Sequence, residues 1–371
     1  MARHIIFLVH GMGNFGEGWS STKHGKYPKT IQAMIKAIFN AWPQTKWMDF
    51  DQNFTFHEIN YNQEFEALRK KWKNSTEELT TALGTVGIKA GLISKLAELA
   101  GQTSKDKFAN THVLDVLLYW GARQTTAAVR SEVITQILKR LIKQFEEEGG
   151  YSWSIISHSL GTAVTHDALH AMYATSHIVN GQTITPLSEI TFPRCVTMLA
   201  NVSRVLETDY PVYKSKVAPG APQRTESICE LYFNARHEWD PIPAVKKFDP
   251  PDHWPSIKAR SDKKYKNVVL RAINPPARAE SSPDARVIHD FEHYLGNPKC
   301  YAAMVGGLIG KFDLIPADVV DDKHSAYVKK FNDEWQQNAI DKLVKLKVKE
   351  GEDDMALILG AWAAFMGRKI Q

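Results

Sequence analysis

The sequence predicts an α/β fold, with a mostly parallel central sheet flanked by helices, a helical insertion and a helical C-terminal extension. Three observations predict it. The chain opens strand–loop–helix–strand, the rhythm of a sheet wound with helices. Its first strand candidate is a short, unbroken apolar run rich in branched residues, as in strands buried on both faces. Near the middle, a small-residue turn stands between a strand and a helix.

Residues 4–9 (HIIFLV) form the first strand and lead into the glycine-rich loop HGMGNFGEG. Pro28 to Ala41 places Ile31, Met34, Ile35 and Ile38 at helical spacing, and Pro43 closes the helix. Residues 54–61 (FTFHEINY) alternate like a strand. Residues 64–111 interrupt the rhythm with a charged helix-like stretch and then the small, apolar GTVGIKAGLISKLAELAG. This insert reads either as an extra helical hairpin packed on the core or as a lid over an apolar pocket. Residues 113–120 (VLDVLLYW) are apolar. The long helix over 124–148 follows, with Val129, Val133, Ile134, Ile137, Leu138, Leu141 and Ile142 on one face. Gly149-Gly150 ends it. Residues 152–157 (SWSIIS) form a strand that enters SHSLG and then the helix TAVTHDALHAMY. Further strands are expected over 191–201, 228–234 and 266–273. Past the prolines at 275, 276 and 283, the chain reads as helical to its end.

At 371 residues the chain can bury a full core without disulfide or metal staples. Its 43% hydrophobic and 23% charged residues exclude a disordered, collagen-like or coiled-coil protein. A net charge of +5 over this length argues against a dedicated nucleic-acid binder, which would gather its basic residues on one face. Cys195, Cys229 and Cys300 are too scattered for a disulfide framework, and no C-x-x-C spacing points to a metal. MARHIIFLVHG lacks the form of a signal peptide, and no run of about 18 apolar residues exists. The expectation is therefore a cytoplasmic protein without a transmembrane segment. Secretion without a signal peptide and peripheral membrane contact stay open.

Four motifs carry chemistry. Ser157-His158-Ser159-Leu160-Gly161 lies between strand and helix and resembles the G-x-S-x-G nucleophile elbow of α/β-hydrolases, with Ser157 in place of the first glycine. The elbow needs small residues two before and two after the central serine, and the helix start behind Ser159 favours negative charge. Leu8-Val9-His10-Gly11-Met12-Gly13 ends the first strand and looks like the His-Gly-x oxyanion loop of lipases and esterases. A phosphate-binding glycine loop is the weaker alternative, because no acidic residue in strand context supports a dinucleotide site. Asp240, before Pro241, stands where an acid could orient a histidine, with Glu238 and Asp209 as competitors. The fourth motif, Val287-Ile288-His289-Asp290-Phe291-Glu292-His293-Tyr294-Leu295, offers two histidines. His289 stands at a loop-to-helix junction, and His293 is one turn inside the helix. The segment looks like the His-Ser-x-x-x-Tyr-Leu end of bacterial hydrolase-like proteins, which places the catalytic role on the first histidine.

The order Ser159, Asp240, His289 matches that of α/β-hydrolase serine esterases and lipases, and the resemblance covers roughly 1–62 and 113–300. VLDVLLYW also resembles a segment of a lipase-like group. The resemblance implies an esterase or lipase acting on a small-molecule or lipid ester, with no cofactor and no metal. Ser159 is the nucleophile, His289 (alternatively His293) the base and Asp240 the acid. The backbone amides of Met12 and Leu160 form the oxyanion hole. Because Met12, Ser159, Asp240 and His289 must meet in one site, one domain is expected over 1–300; the insertion at 64–111 and a helical extension over 301–371, packed on the same domain, carry no family pattern. Acyl transfer to another alcohol, thioester cleavage, a non-catalytic interaction protein of the same fold and an effector acting on membranes of other cells are the rival readings.

Overall fold

The computed structural model describes residues 2–12, 15–23, 29–73, 119, 123–179, 181–185, 192–207, 210–220, 227–238, 240–251, 254, 263–270 and 289–328. The strands are β1 (His4–Val9), β2 (Phe54–Ile59), β3 (Ser152–His158), β4 (His177–Val179), β5 (Gln182–Ile184), β6 (Cys195–Leu199), β7 (Leu231–His237) and β8 (Tyr265–Leu270). Six of them form one sheet in the order β2-β1-β3-β6-β7-β8, and every pairing in it is parallel. β4 and β5 make a separate antiparallel hairpin.

The helices are α1 (Ile31–Asn40), α2 (Phe50–Asn53), α3 (Asn62–Lys73), α4 (Arg123–Glu148), α5 (Leu160–Ala174), α6 (Pro241–Val245), α7 (Phe291–Gly296), α8 (Pro298–Ile309) and α9 (Ala317–Val328). They cover both faces of the sheet, and the unbroken apolar run of β1 follows from this. Ile5, Phe7 and Val9 enter one core, with Val133, Ile137 and Leu141 of α4 and Val164 and Leu169 of α5. Ile6 and Leu8 enter the other, with Ile35 and Phe39 of α1, Tyr294 and Leu295 of α7, and Met304 and Val305 of α8. All five β1 side chains from Ile5 to Val9 are buried, and each burial of this kind contributes roughly 1.5–3 kcal/mol.

The expected apolar face of α4 is buried from Val129 to Leu141, with Ile142 half-buried against the same core, and Gly149, at φ 71°, ends the helix by donating its N–H to Phe145 O. α1 begins at Ile31 because the Thr30 side chain accepts the Ala33 N–H and caps it. Three strands depart from the spans that the apolar pattern predicts. β2 stops at Ile59 instead of 61, because the Asn60 N–H turns to the Gln136 side chain. β7 runs over Leu231–His237 instead of 228–234, since Ile228 and Cys229 are buried outside the sheet, Cys229 in an isolated bridge to Pro219. Polar Arg236 and His237 belong to the strand because they pair with Val269 and Leu270 of β8. β6 is shorter than 191–201 because Ala200 turns to φ 49°.

α8 packs its buried face into the second core, and Arg194 Nη1 donates to Leu308 O at 2.9 Å. α3 forms the start of the expected insert, and residues 74–111 lie outside the described residues. So do 329–371 and all of VLDVLLYW except Tyr119. Among the described residues, no helix is long and apolar enough to cross a membrane.

Candidate active site

In an open parallel sheet, ligands bind beyond the carboxyl ends of the strands, where neighbouring connections diverge to opposite sides. Here that point lies between β1 and β3: the chain leaves β1 for β2 on one side, and β3 lies on the other. The loop after β1 carries His10 to Met12, and the turn after β3 carries Ser159. Asp240 follows β7 and His289 follows β8, so all four motifs open onto the same edge of the sheet.

Ser159 has φ 54° and ψ −128°, a strained conformation for any residue with a side chain. Its neighbours hold it there. The Ser159 N–H donates to Leu199 O of β6 at 3.0 Å, and Ser159 O accepts from Thr162 N at 2.8 Å and from Thr162 Oγ1 at 2.7 Å. The serine turn is packed tightly against β1. A Cβ on Gly161 would lie 2.2 Å from His10 O, and one on Gly11 would lie 2.9 Å from Ser159 Cβ. Ser157 fits where the motif usually has glycine because it is buried and its Oγ bonds Thr165 Oγ1 of α5 at 2.7 Å.

Ser159 Oγ lies 2.6 Å from His289 Nε2, and His289 Nδ1 lies 2.7 Å from Asp240 Oδ2. An ionised carboxylate only accepts, so Nδ1 carries the proton and Nε2 is left to accept from the serine hydroxyl. Asp240 divides its work between two oxygens. Oδ1 accepts the Ile242 N–H at 3.2 Å and caps α6, while Oδ2 takes His289 and the Tyr294 hydroxyl, the latter at 2.8 Å. Asp240 has no exposure, and Ser159 is 2% exposed. Burial pushes the Asp240 carboxyl up, but the His289 ring and the hydrogen bonds from His289, Tyr294 and Ile242 outweigh it and hold the group below the usual carboxylate range. Burial and the nearby Asp240 charge raise the Tyr294 phenol, which therefore stays protonated.

Two further histidines frame the site. His158 Nε2 donates to the main-chain oxygen of His289 at 2.6 Å, and its ring stacks on Phe291 with 5.1 Å between centroids. It thus ties the serine turn to the loop bearing His289. The His10 ring lies between Phe15 and Tyr61, and its Nδ1 donates to Gly11 O at 2.7 Å. The Tyr61 hydroxyl donates to His10 O at 2.6 Å, which fixes the loop beside Ser159. Leu160 is the first residue of α5, where helix N–H groups lack intrahelical acceptors. Met12 is buried in the loop that crosses the serine.

Burial pushes His10 down to about 4 and His158 down to about 3, in the latter case with help from the nearby His289. His4, held between the Ser152 and Ser154 hydroxyls at 2.8 Å each, is driven well below its ordinary value by burial and by Arg194. All three are neutral when folded, whereas in the unfolded chain they titrate near 6.5. The stability they contribute is complete above that value and is lost as pH falls through the folded values. Each proton taken up preferentially by the unfolded chain steepens the loss by about 1.4 kcal/mol per pH unit. Thermal melts should therefore show Tm falling progressively between about pH 6.5 and 4. A flat Tm across that window would refute the account.

The structure thus brings Ser159, His289 and Asp240 into one chain of hydrogen bonds and places Met12 and Leu160 beside it. His293 is buried elsewhere, with its ring 5.2 Å from that of His237. Glu238 is exposed, and Asp209 lies outside the described residues. Tyr294, His158 and Tyr61 were not predicted as site residues. Tyr294 and His158 stand inside two of the motifs, as the tyrosine of the His-x-x-x-x-Tyr-Leu segment and as the residue before Ser159, while nothing in the sequence marks Tyr61. Among the described residues, no group of three or more His, Cys, Asp or Glu side chains is arranged to hold a metal ion. No protein-family model matches the chain, and no curated protein matches it.

Proposed function

We propose that this protein is a serine hydrolase of the α/β-hydrolase fold that cleaves carboxylic esters through an acyl-enzyme. The observation that carries the reading is the continuous chain from Ser159 Oγ through His289 to the buried Asp240 carboxylate. Such a chain gives a weak nucleophile a base, and gives the base an orienting group. The strained Ser159 backbone at the divergence of β1 and β3 supports the same reading.

In this mechanism Ser159 Oγ attacks the ester carbonyl carbon while its proton passes to His289 Nε2. The carbonyl oxygen becomes an oxyanion, met by the N–H groups of Leu160 and Met12. Asp240 stays ionised and stabilises the imidazolium. The C–O bond to the alcohol then breaks, and the alcohol leaves with the proton from His289. Water enters, loses a proton to His289 Nε2 and attacks the acyl carbon. Collapse releases the carboxylic acid and returns the proton to Ser159.

A fluorophosphonate probe should label the wild-type protein, and peptide mapping should place the label on Ser159. p-Nitrophenyl esters of increasing chain length should be hydrolysed, with the optimum reporting the depth of the acyl pocket. An unlabelled wild type, or a label on another residue, would overturn the proposal.

A further inference from the structure

We infer that Tyr294 is a positioning residue for the site, its hydroxyl locking Asp240 Oδ2 in the geometry that receives His289 Nδ1. Three bonds carry this inference. The main-chain N–H of His237, the last residue of β7, donates to the Tyr294 oxygen at 3.0 Å. With that side of the oxygen occupied, the hydroxyl proton points to Asp240 Oδ2, 2.8 Å away. The same Oδ2 accepts from His289 Nδ1 at 2.7 Å. A line of donors thus runs from the end of β7 through the phenol to the carboxylate.

Without the hydroxyl, Asp240 would keep Ile242 at Oδ1, in the first turn of a five-residue helix, and His289 itself at Oδ2. The bond that ties Oδ2 to the end of β7 would be gone, and the carboxylate could turn together with the ring it is meant to orient. Tyr294 also lies five positions beyond His289 along the same segment, so base and anchor arrive together at the acid. It has no exposed surface, so it acts on the acid from behind and not on a substrate.

The inference rests on the serine-hydrolase reading for its rate readout, and a second readout is independent of catalysis. In Tyr294→Phe, kcat should fall about tenfold, the scale expected when a hydrogen bond to a charged group is lost, with KM little changed. In the Asp240→Asn background the same change should cost less than about threefold, because interacting groups are not additive. A purely structural role would cost the same factor in both backgrounds, and that result would overturn the inference. Proton NMR supplies the second readout. With the Tyr294 hydroxyl gone and Asp240 Oδ2 no longer held from the end of β7, the His289 Nδ1–H bond to Asp240 should weaken and its resonance should move upfield; an unmoved resonance, or one moved downfield, would overturn the inference. Should the variant fold poorly, the wild type still decides. The Tyr294 hydroxyl and His289 Nδ1 protons should show a nuclear Overhauser contact, and its absence would refute the geometry. If wild type hydrolyses no ester while these resonance results hold, the proposed function fails and the positioning role of Tyr294 stands.

Discussion

His289→Gln should lower kcat/KM for ester hydrolysis by about 10⁴- to 10⁶-fold, the range seen when the base of such a chain is removed. His293→Gln should retain it within about tenfold, because that ring packs against His237 while the bonds that join Ser159, His289 and Asp240 run through His289. The contrast follows from placement. His289 Nε2 faces Ser159 Oγ at 2.6 Å, while His293 packs near His237. Adding Ser159→Ala to His289→Gln should cost almost nothing more, since the two groups act as one unit. The measurement is steady-state hydrolysis of a p-nitrophenyl ester by each variant, with circular dichroism to confirm folding. A larger loss in His293→Gln than in His289→Gln would reverse the assignment of the base.

Among the described glycines, Gly161→Ala should be the most damaging single methyl. The added carbon would sit 2.2 Å from His10 O and 2.9 Å from Val9 O, both main-chain atoms. Neither can swing aside as the tip of a side chain would. α5 must therefore move away from β1, separating Ser159 from the loop that holds Met12. Overpacking of this kind costs about 1–3 kcal/mol. A displacement of about 1 Å in a reacting group can cost about 10²-fold in rate. Both should register, as a lower Tm and as a fall in kcat. Ser157→Gly, which restores the usual glycine at the other end of the turn, should keep kcat within a few-fold. It removes only the bond to Thr165. If Gly161→Ala matched wild type in Tm and rate, the close approach of helix and loop would not exist as described.

The parts of the site visible in the sequence were those with local signatures. Ser159 stands in a turn whose neighbours must be small. Asp240 sits before a proline, and His289 sits just ahead of a helix. These constraints act within a few residues of each side chain. The order of the three along the chain supplied the rest. Tyr61 and His158 are different, because their partners are 51 and 131 residues away. His158 stands next to Ser159 in the sequence, but no spacing rule shows that its ring reaches His289 or that Tyr61 reaches His10. The displacement of β7 has a similar cause. Ile228 and Cys229 are as apolar as strand residues, and only the tertiary pairing shows that they are buried beside the sheet and not in it. The α/β class was legible because both faces of the sheet are covered, which leaves the unbroken apolar run of β1 in the sequence itself.

The all-parallel sheet has a consequence for how the chain is made. No strand in it can find its neighbour through a tight turn, and β1 is the extreme case. One of its two partners, β3, is joined to it by the contact of His4 with Ser152, 148 positions later. A ribosome adding about 5–20 residues per second needs roughly 7–30 s to deliver that partner. Throughout the interval HIIFLV is an apolar segment with one side of its ladder open, and slow non-local pairing of this sort leaves such segments prone to aggregate. The strand that later holds the loop beside Ser159 is therefore the part of the nascent chain most in need of shelter.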